Sequence, residues 1–180
     1  RKFCELDAAH WKGMPEKAIK DIFGRMPYTK NLVISVKALK KMGFKLVAIS
    51  TGLQYMADRV KKELGFDYVL SNRLVSRRGI LNGQVKINIA HGAKGKTLRA
   101  ILKKFRVKPH EVLAIGDTDG DVPLAKLSGY SIAFNSSSKI LSKVVNCDCS
   151  TKDFRDVLRK LAHISECPSA PPIVRASGRI

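Results

Sequence analysis

The apolar positions of this chain follow two patterns. In one they recur every three or four residues, as on the buried face of a helix, and in the other they form short unbroken runs typical of buried strands. The helical pattern predicts helices at 16–24, 31–41, 53–64, 93–105, 122–127 and 154–161. The unbroken runs predict strands at 44–49, 68–70, 112–115 and 131–134. Strands that alternate with helices in this way indicate a parallel α/β sheet.

Glycines mark several of the predicted boundaries. Gly43 and Gly65 follow two of the helices, and Pro15 followed by Glu16 is typical of a helix start. Between residues 73 and 89 the pattern alternates around Gly79 and Asn82-Gly83, which predicts a hairpin. Residues 166–180 carry three prolines and little periodicity, so we expect an irregular tail there.

Composition narrows the class of protein. The 180 residues suit one domain with a small appendage, and no run approaches the roughly 18 apolar residues of a membrane span. Four scattered cysteines are too few for a disulfide framework, so a reducing, cytoplasmic location is the default expectation. Cys147-x-Cys149 fits either a soft-metal pair or ordinary core and surface cysteines.

The formal net charge of +19 indicates attraction to polyanions. The basic residues are spread over most segments, with small groups at Arg77-Arg78 and within 103–108. No segment has the pattern of a basic arm or of an aromatic-interleaved RNA-binding strand. A solvated basic surface is the favoured interpretation, and nucleic-acid binding is the alternative.

The densest group of acidic residues is Gly116-Asp117-Thr118-Asp119-Gly120-Asp121, directly after the apolar run 112–115. Open α/β sheets bind their ligands at the carboxyl ends of strands. Carboxylates crowded there repel one another unless a cation lies among them, and Mg²⁺ is held by such carboxylates together with water and phosphate. The alternative is a solvated Asp/Gly turn.

A second strand end carries hydroxyl groups. Ser50-Thr51-Gly52 offers hydroxyls and backbone N–H groups where a predicted strand meets a predicted helix, an arrangement that binds phosphate. The same residue types also serve as ordinary helix N-caps. Lys94, at the start of the next long helix, is placed to reach the same anion.

One motif suggests a different class of protein. Gly95-Lys96-Thr97 matches the end of the nucleotide-binding P-loop, but Ala90 stands where the first glycine is required. A P-loop nucleotide hydrolase is therefore a weak alternative.

Five segments, in order and with matching spacing, resemble the haloacid dehalogenase superfamily, and more narrowly its phosphoserine phosphatase-like branch. They are Val47–Gly52, Ser71-Asn72-Arg73-Leu74 with Gly83, Ala93-Lys94-Gly95, Gly116–Asp121 and Ile132–Asn135. The likeness covers about residues 30–162. It implies a Rossmann-like parallel sheet with a partial helical cap: 1–30 as a remnant of the cap, 31–165 as the core and 166–180 as the tail.

The resemblance also implies roles for individual residues. Ser50 would hydrogen bond the substrate phosphate, with the N–H groups of Thr51 and Gly52, and Lys94 would neutralise it. For the metal, Asp117 would ligate Mg²⁺ and Asp121 would complete or orient its shell. Gly120 stands where family members often have Asn, and Thr51 replaces a commoner glycine.

Members of this superfamily carry an Asp-x-Asp motif on their first strand, where the first Asp attacks phosphorus and the second acts as general acid and base. Apart from the aspartate loop Gly116–Asp121, which is already assigned to the metal, no strand of this chain ends in such a motif. We therefore expect that the N-terminal part is missing and that the chain alone has no turnover. Since the family places that strand between those ending at Ser50 and Gly116, we expect these two to be either separated or paired directly.

These observations predict a Mg²⁺-dependent phosphomonoester hydrolase that acts through an aspartyl phosphate on a small phosphorylated metabolite. A non-catalytic basic domain that binds anions or nucleic acid on the same fold is the main alternative.

Overall fold

Helices and strands alternate as the sequence predicts, and the parallel α/β class is confirmed. The structure, a computed structural model, describes residues 2–165, with side chains at 4–162; the predicted tail lies outside the described residues. In chain order the elements are α1 (Lys2–His10), α2 (Glu16–Arg25), α3 (Leu32–Lys41), β1 (Val47–Leu53), α4 (Gln54–Leu64), β2 (Tyr68–Arg77), β3 (Ile80–Lys86), α5 (Lys94–Phe105), β4 (Leu113–Gly116), α6 (Val122–Leu127), β5 (Tyr130–Phe134), α7 (Lys139–Ser142), β6 (Cys147–Cys149) and α8 (Arg155–Ser165). None of the helices within this range has the length and apolar character needed to cross a membrane.

The chain forms two compact units. The first consists of Arg1–Pro27 and Leu46–Ala93, and the second of Tyr28–Lys45 and the chain from Lys94 onward. In the first unit β1 runs parallel to β2, and β2 pairs with β3 as an antiparallel hairpin. Helices α1 and α2, which the resemblance assigns to a cap, belong to this unit. Its buried core consists of Ala8, Ile19, Tyr55, Leu74 and Leu81.

The second unit contains a parallel sheet in the order β4-β5-β6. Its core includes a buried cluster of Ala125, Ala133 and Leu141. The start of α3 is tied to the segment before α8, because Asn31 donates hydrogen bonds to both carboxylate oxygens of Asp153, at 3.0 and 2.9 Å. This sheet places the end of β4, with its aspartates, at the carboxyl edge.

Helix boundaries agree closely with the local sequence signals. Gly65 adopts the left-handed conformation (φ 65°) directly after α4, as its position predicts. The predicted stop at Gly24 is wrong, because α2 continues to Arg25. The helix ends instead before Pro27, whose ring disfavours helical geometry at Met26; Met26 is extended, with ψ 128°.

Strand boundaries differ more from the predictions. β1 begins at Val47 rather than Phe44 and continues through Gly52, while β2 extends to Arg77 instead of ending at Leu70. The predicted hairpin is confirmed, with its turn at Arg78-Gly79. The sequence patterns did not predict α7 or β6, since each is only three or four residues long. Such short elements depend on pairing with neighbours that are distant in sequence.

Two strands keep one unpaired edge. Within residues 2–165, β1 pairs only with β2 and β4 pairs only with β5, so each ends its own three-stranded sheet. Direct pairing of β1 with β4, one of the two expected outcomes, is therefore not observed.

Candidate active site

The loop after β4 folds its last aspartate back beneath the end of the strand. Gly116 ends β4, and a Cβ atom at this position would lie 2.4 Å from the Cβ of Asp121. Glycine alone leaves room for that side chain. Asp121 Oδ2 accepts hydrogen bonds from the N–H groups of Asp117 and Thr118, both at 3.2 Å, and from the Thr118 hydroxyl at 3.1 Å. The carboxylate thereby fixes the backbone of the loop.

The other oxygen of the same carboxylate contacts Lys94, the first residue of α5. Lys94 Nζ lies 2.6 Å from Asp121 Oδ1, and the two side chains are only 12% and 7% exposed. Burial raises the pKa of Asp121, but the hydrogen bond and charge of Lys94 and the backbone N–H donors outweigh it and lower the pKa overall. The start of α5 packs closely on α6, since a Cβ on Gly95 would lie 3.0 Å from Pro123 Cβ. The result is a buried ion pair at the sheet edge.

The two remaining aspartates of the loop differ in how their carboxylates are held. The Asp117 carbonyl accepts a hydrogen bond from the Ser136 hydroxyl at 2.6 Å, so its backbone is held on both sides. Its side chain is exposed, and within the described part of the chain its carboxylate has no hydrogen-bond or ion-pair partner. The Asp119 carboxylate instead accepts a hydrogen bond from the Ser138 hydroxyl. Asp117 is therefore the carboxylate open to a ligand.

A hard divalent cation fits this set of donors. The Asp117 carboxylate is exposed on an ordered backbone, and carboxylate oxygen is the ligand type that Mg²⁺ prefers. No group of three or more His, Cys, Asp or Glu side chains comes together among the described residues. A Mg²⁺ ion at Asp117 would therefore take most of its shell from water and substrate oxygens, as this ion commonly does.

Ser50 and Thr51, the two hydroxyl-bearing residues, lie with Gly52 in a bulge of β1. They occupy the length of strand that Ser71 alone occupies on β2, because the register shifts between the flanking pairs. Gly52 N–H donates a hydrogen bond to Ser50 Oγ at 3.0 Å. Bulges of this kind occur next to active sites, where they redirect side chains.

The alternative that these residues cap a helix is wrong. The N-cap of α4 is Leu53, and it makes no side-chain cap hydrogen bond. Ser50, Thr51 and Gly52 belong to the first compact unit, whereas Lys94 and the aspartate loop belong to the second. The structure therefore brings Lys94 together with Asp121 and the backbone of Asp117, and the approach of Ser50 to them stays a prediction.

Three polar residues of these sites were not predicted. Ser136 and Ser138 hold the aspartate loop, and Asn72 contacts the bulge. The two serines could have been recognised, since they follow β5 at the same carboxyl edge of the sheet. The sequence carries a signal for Asn72 as well, since Ser71-Asn72 is a polar pair within a strand of a sheet expected to be buried.

The structure does not favour the two weaker chemical interpretations. Gly95 lies inside α5, and the preceding strand β3 is antiparallel, whereas a P-loop joins a strand of a βαβ unit directly to its helix. Cys149 is buried, and burial, followed by the effect of Cys147, raises its pKa to about 11. The metal-free thiol is thus mostly protonated, and no group of three or more His, Cys, Asp or Glu side chains forms around it among the described residues, so the soft-metal pair is not favoured.

Comparison with known proteins gives consistent matches. A family model of haloacid dehalogenase-like hydrolases matches residues 1–126. A phosphoserine phosphatase of Archaeoglobus fulgidus is 33% identical over 136 residues, which cover 75% of this chain and 39% of that protein. One from Methanocaldococcus jannaschii is 28% identical over 149 residues, covering 82% and 70%.

Solved structures agree with these matches. A substrate-bound phosphoserine phosphatase superposes with a TM-score of 0.80 at 26% identity, covering 87% of this chain and 75% of that one. A phospho-aspartyl intermediate analogue of phosphoserine phosphatase superposes with a TM-score of 0.79, also at 26% identity and with the same coverage. The chain thus spans about two fifths of the Archaeoglobus relative and three quarters of these solved chains.

Proposed function

The chain belongs to the haloacid dehalogenase-like hydrolase family, and from this membership we propose that its residues serve the Mg²⁺-dependent hydrolysis of a small phosphomonoester, in the manner of a phosphoserine phosphatase. One observation carries the proposal. At the carboxyl end of β4, a buried Lys94–Asp121 ion pair lies beside an ordered loop on which Asp117 presents an open carboxylate. A cationic donor and a metal-ligating oxygen side by side suit a phosphate bound through a metal.

In this proposal Lys94 and Ser50 hold the phosphate. The Lys94 ammonium has three N–H donors and spends one on Asp121, which leaves two for phosphate oxygens. The Ser50 hydroxyl accepts the Gly52 N–H and keeps its own hydrogen for donation to the anion. Thr51 lies in the same bulge, and its N–H is a further donor. Together these groups would orient the phosphate and offset its charge.

Asp117 and Asp121 have different tasks in the proposal. Asp117 would ligate Mg²⁺ through its exposed carboxylate. Both oxygens of Asp121 already accept hydrogen bonds, from Lys94 on one side and from the loop on the other. Asp121 would therefore orient the site, and Asp117 would be the direct ligand of the ion. When bound, Mg²⁺ would polarise a phosphoryl oxygen and lower the barrier to attack on phosphorus.

We further propose that the full reaction proceeds through an aspartyl phosphate. A carboxylate oxygen attacks phosphorus, and the bond between phosphorus and the leaving alcohol breaks. The oxygen of the leaving alcohol takes a proton from a second carboxyl group, and water then hydrolyses the acyl phosphate. One solved relative is described as an analogue of this intermediate. Outside the loop Gly116–Asp121, residues 1–180 contain no Asp-x-Asp motif that could supply the attacking carboxylate and the proton donor. The chain alone should therefore bind phosphate without turnover. The assignment of 1–30 to the cap and 31–165 to the core is part of the same proposal, and a cytoplasmic location stays a prediction.

The experiment is a titration of this chain with inorganic phosphate by isothermal titration calorimetry, with and without Mg²⁺. We expect Mg²⁺ to strengthen phosphate binding in the unsubstituted chain and Asp117→Asn to remove that gain. Asp119→Asn is the matched control, because it makes the same change on an exposed carboxylate that is already bonded to Ser138. Phosphate binding that ignores Mg²⁺, or equal losses in both variants, would contradict the proposal.

A specific observation also favours the second function, polyanion binding. The exposed face of α5 carries Lys96, Arg99 and Lys103 at helical spacing, and this helix contains no acidic residue. We propose as the alternative that this face binds the phosphate backbone of duplex DNA. Substituting all three by Gln should make the negative slope of log affinity against log salt concentration shallower by about 2.7. Gln substitutions at Lys37, Lys40 and Lys41 of α3 make the same charge change and serve as the control; equal losses would refute a specific role for α5.

A further inference from the structure

The bulge in β1 leaves a backbone carbonyl that the sheet does not pair. Between Ile49, which pairs with Leu70, and Leu53, which pairs with Asn72, residues 50–52 leave the ladder. Thr51 is half-buried, and an unpaired carbonyl in such a place would cost part of the roughly 1–3 kcal/mol that a fully buried one costs. The side chain of Asn72 replaces the missing strand partner: its Nδ2 donates a hydrogen bond to the Thr51 carbonyl at 2.8 Å.

Asn72 is held so firmly that it can fix this carbonyl in place. The residue is 1% exposed. Its second Nδ2 hydrogen is donated to the Ile89 carbonyl at 3.2 Å, and its Oδ1 accepts the N–H groups of Asn88 and Ile89, both at 2.9 Å. Two carbonyls on one side and two N–H groups on the other permit a single orientation of the amide. The side chain therefore connects the bulge to the segment after β3 with its donors and acceptors fully used.

This contact reaches the Ser50 hydroxyl through one peptide group. The carbonyl of Thr51 and the N–H of Gly52 belong to the same planar trans unit and point in opposite directions. Fixing the carbonyl toward Asn72 aims the N–H away from it, and that N–H donates to Ser50 Oγ at 3.0 Å. The serine oxygen thus accepts a hydrogen bond, and its own O–H is left to donate. Hydrogen bonds arranged in a chain polarise one another and strengthen the last donor.

We propose that Asn72 is a positioning residue that orients the Thr51–Gly52 peptide and thereby sets the Ser50 hydroxyl to donate to a phosphate oxygen. This inference rests on the proposed function, since it takes Ser50 to be a phosphate-binding residue. It assigns Asn72 a task in binding the anion that goes beyond stabilising the sheet, although Asn72 touches no substrate. Any residue that fills the space without donating to Thr51 would leave this peptide free to turn.

The test is a double-mutant cycle between Asn72 and Ser50, measured as affinity for inorganic phosphate in excess Mg²⁺ by calorimetry on the full chain. A serine at position 72 is too short to reach the Thr51 carbonyl, so Asn72→Ser should weaken phosphate binding about tenfold, as should Ser50→Ala. Because both act through one hydroxyl, the double variant should bind no more than about threefold more weakly than either single variant. A general loss of structure would instead give multiplied effects.

The matched control is Asn82→Ser. Asn82 lies in the same unit and bonds only locally, to Gln84, so phosphate affinity should not change. Should Asn72→Ser fail to fold by circular dichroism, Asn72→Asp serves instead: it keeps the two accepted N–H bonds and removes the donations, and because its added charge repels phosphate, only the local readout at Gly52 is used for this variant. Faster hydrogen exchange at the Gly52 amide in the Asn72 variant than in the unsubstituted chain gives a second, local readout.

The outcomes separate the two proposals. Phosphate binding that depends on Ser50 but not on Asn72, or multiplied losses in the double variant, overturns the positioning role and leaves the proposed function standing. Phosphate binding that ignores Ser50 and Mg²⁺ overturns the proposed function and this inference with it. Coupled losses with an unaffected Asn82 control support the role.

Discussion

Breaking the buried Lys94–Asp121 pair should cost far more than removing both partners. Lys94→Met removes the ammonium while keeping most of the side-chain volume, and Asp121→Asn removes the charge at nearly constant shape. The pair is joined at 2.6 Å with both side chains almost covered, so either single change leaves a charged group without its partner in a poorly hydrated place. The double variant leaves neither charge.

The structure sets the expected magnitudes. Removing one partner of a buried ion pair typically costs about 3–5 kcal/mol of the free energy of unfolding. Lys94→Met should lie at about 3 kcal/mol, because Asp121 keeps three hydrogen bonds from the loop. Asp121→Asn should lie nearer about 5 kcal/mol, since the new amide N–H₂ group faces the ammonium, donor against donor. The double variant should lose only about 1–2 kcal/mol, less than either single change, because no charge is left unpaired and the amide oxygen introduced at position 121 can still accept the loop N–H bonds.

The assay is urea unfolding at neutral pH, followed by far-ultraviolet circular dichroism without Mg²⁺ or phosphate. Total stabilities of small domains are about 5–15 kcal/mol, so a single variant that starts unfolded is within expectation, and a folded double variant would then demonstrate the coupling by itself. Losses that add to within about 0.5 kcal/mol would refute the reasoning, because additivity is the behaviour of independent residues.

Three other outcomes can be checked on the same chain. The Arg155 side chain, with the Arg155 and Asn31 N–H groups, holds the pKa of Asp153 well below its usual range. Ionised Asp153 therefore stabilises the fold above its unfolded pKa of about 4, and this stabilisation is lost as the pH falls toward its folded pKa. The difference in urea midpoint between the unsubstituted chain and Asp153→Asn should shrink between about pH 5 and pH 2, and a constant difference would contradict this argument. Gly116→Ala should destabilise by about 1–3 kcal/mol because its Cβ has no room, whereas Gly24→Ala, with nothing within 4 Å, should stabilise by about 0.5–1 kcal/mol. The chain as it stands should hydrolyse no aryl phosphate in the presence of Mg²⁺. Turnover that Asp117→Asn abolishes would show that the chain does contain an attacking nucleophile, contrary to this expectation.

The sequence alone determined the elements whose stability is local. Helix α4 ends where Gly65 offers the left-handed conformation, and α6 occupies the predicted residues 122–127, because helical hydrogen bonds join residues four apart. The loop Gly116–Asp121 is predicted as a candidate metal site for the same reason: its composition, its position after an apolar run and its glycine all lie within one short segment.

Tertiary structure alone decided what depends on distant partners. Strand β1 runs on through Gly52 because β2 pairs with it again at Asn72, and no local pattern around Ser50 predicts the bulge between them. Lys94 becomes a buried partner of Asp121, 27 positions away in the chain, only when α5 and α6 pack against each other. A lysine in sequence is a solvated charge by default, and it takes the fold to remove the water. The same holds for Asn72, whose four hydrogen bonds go to residues at least 16 positions away.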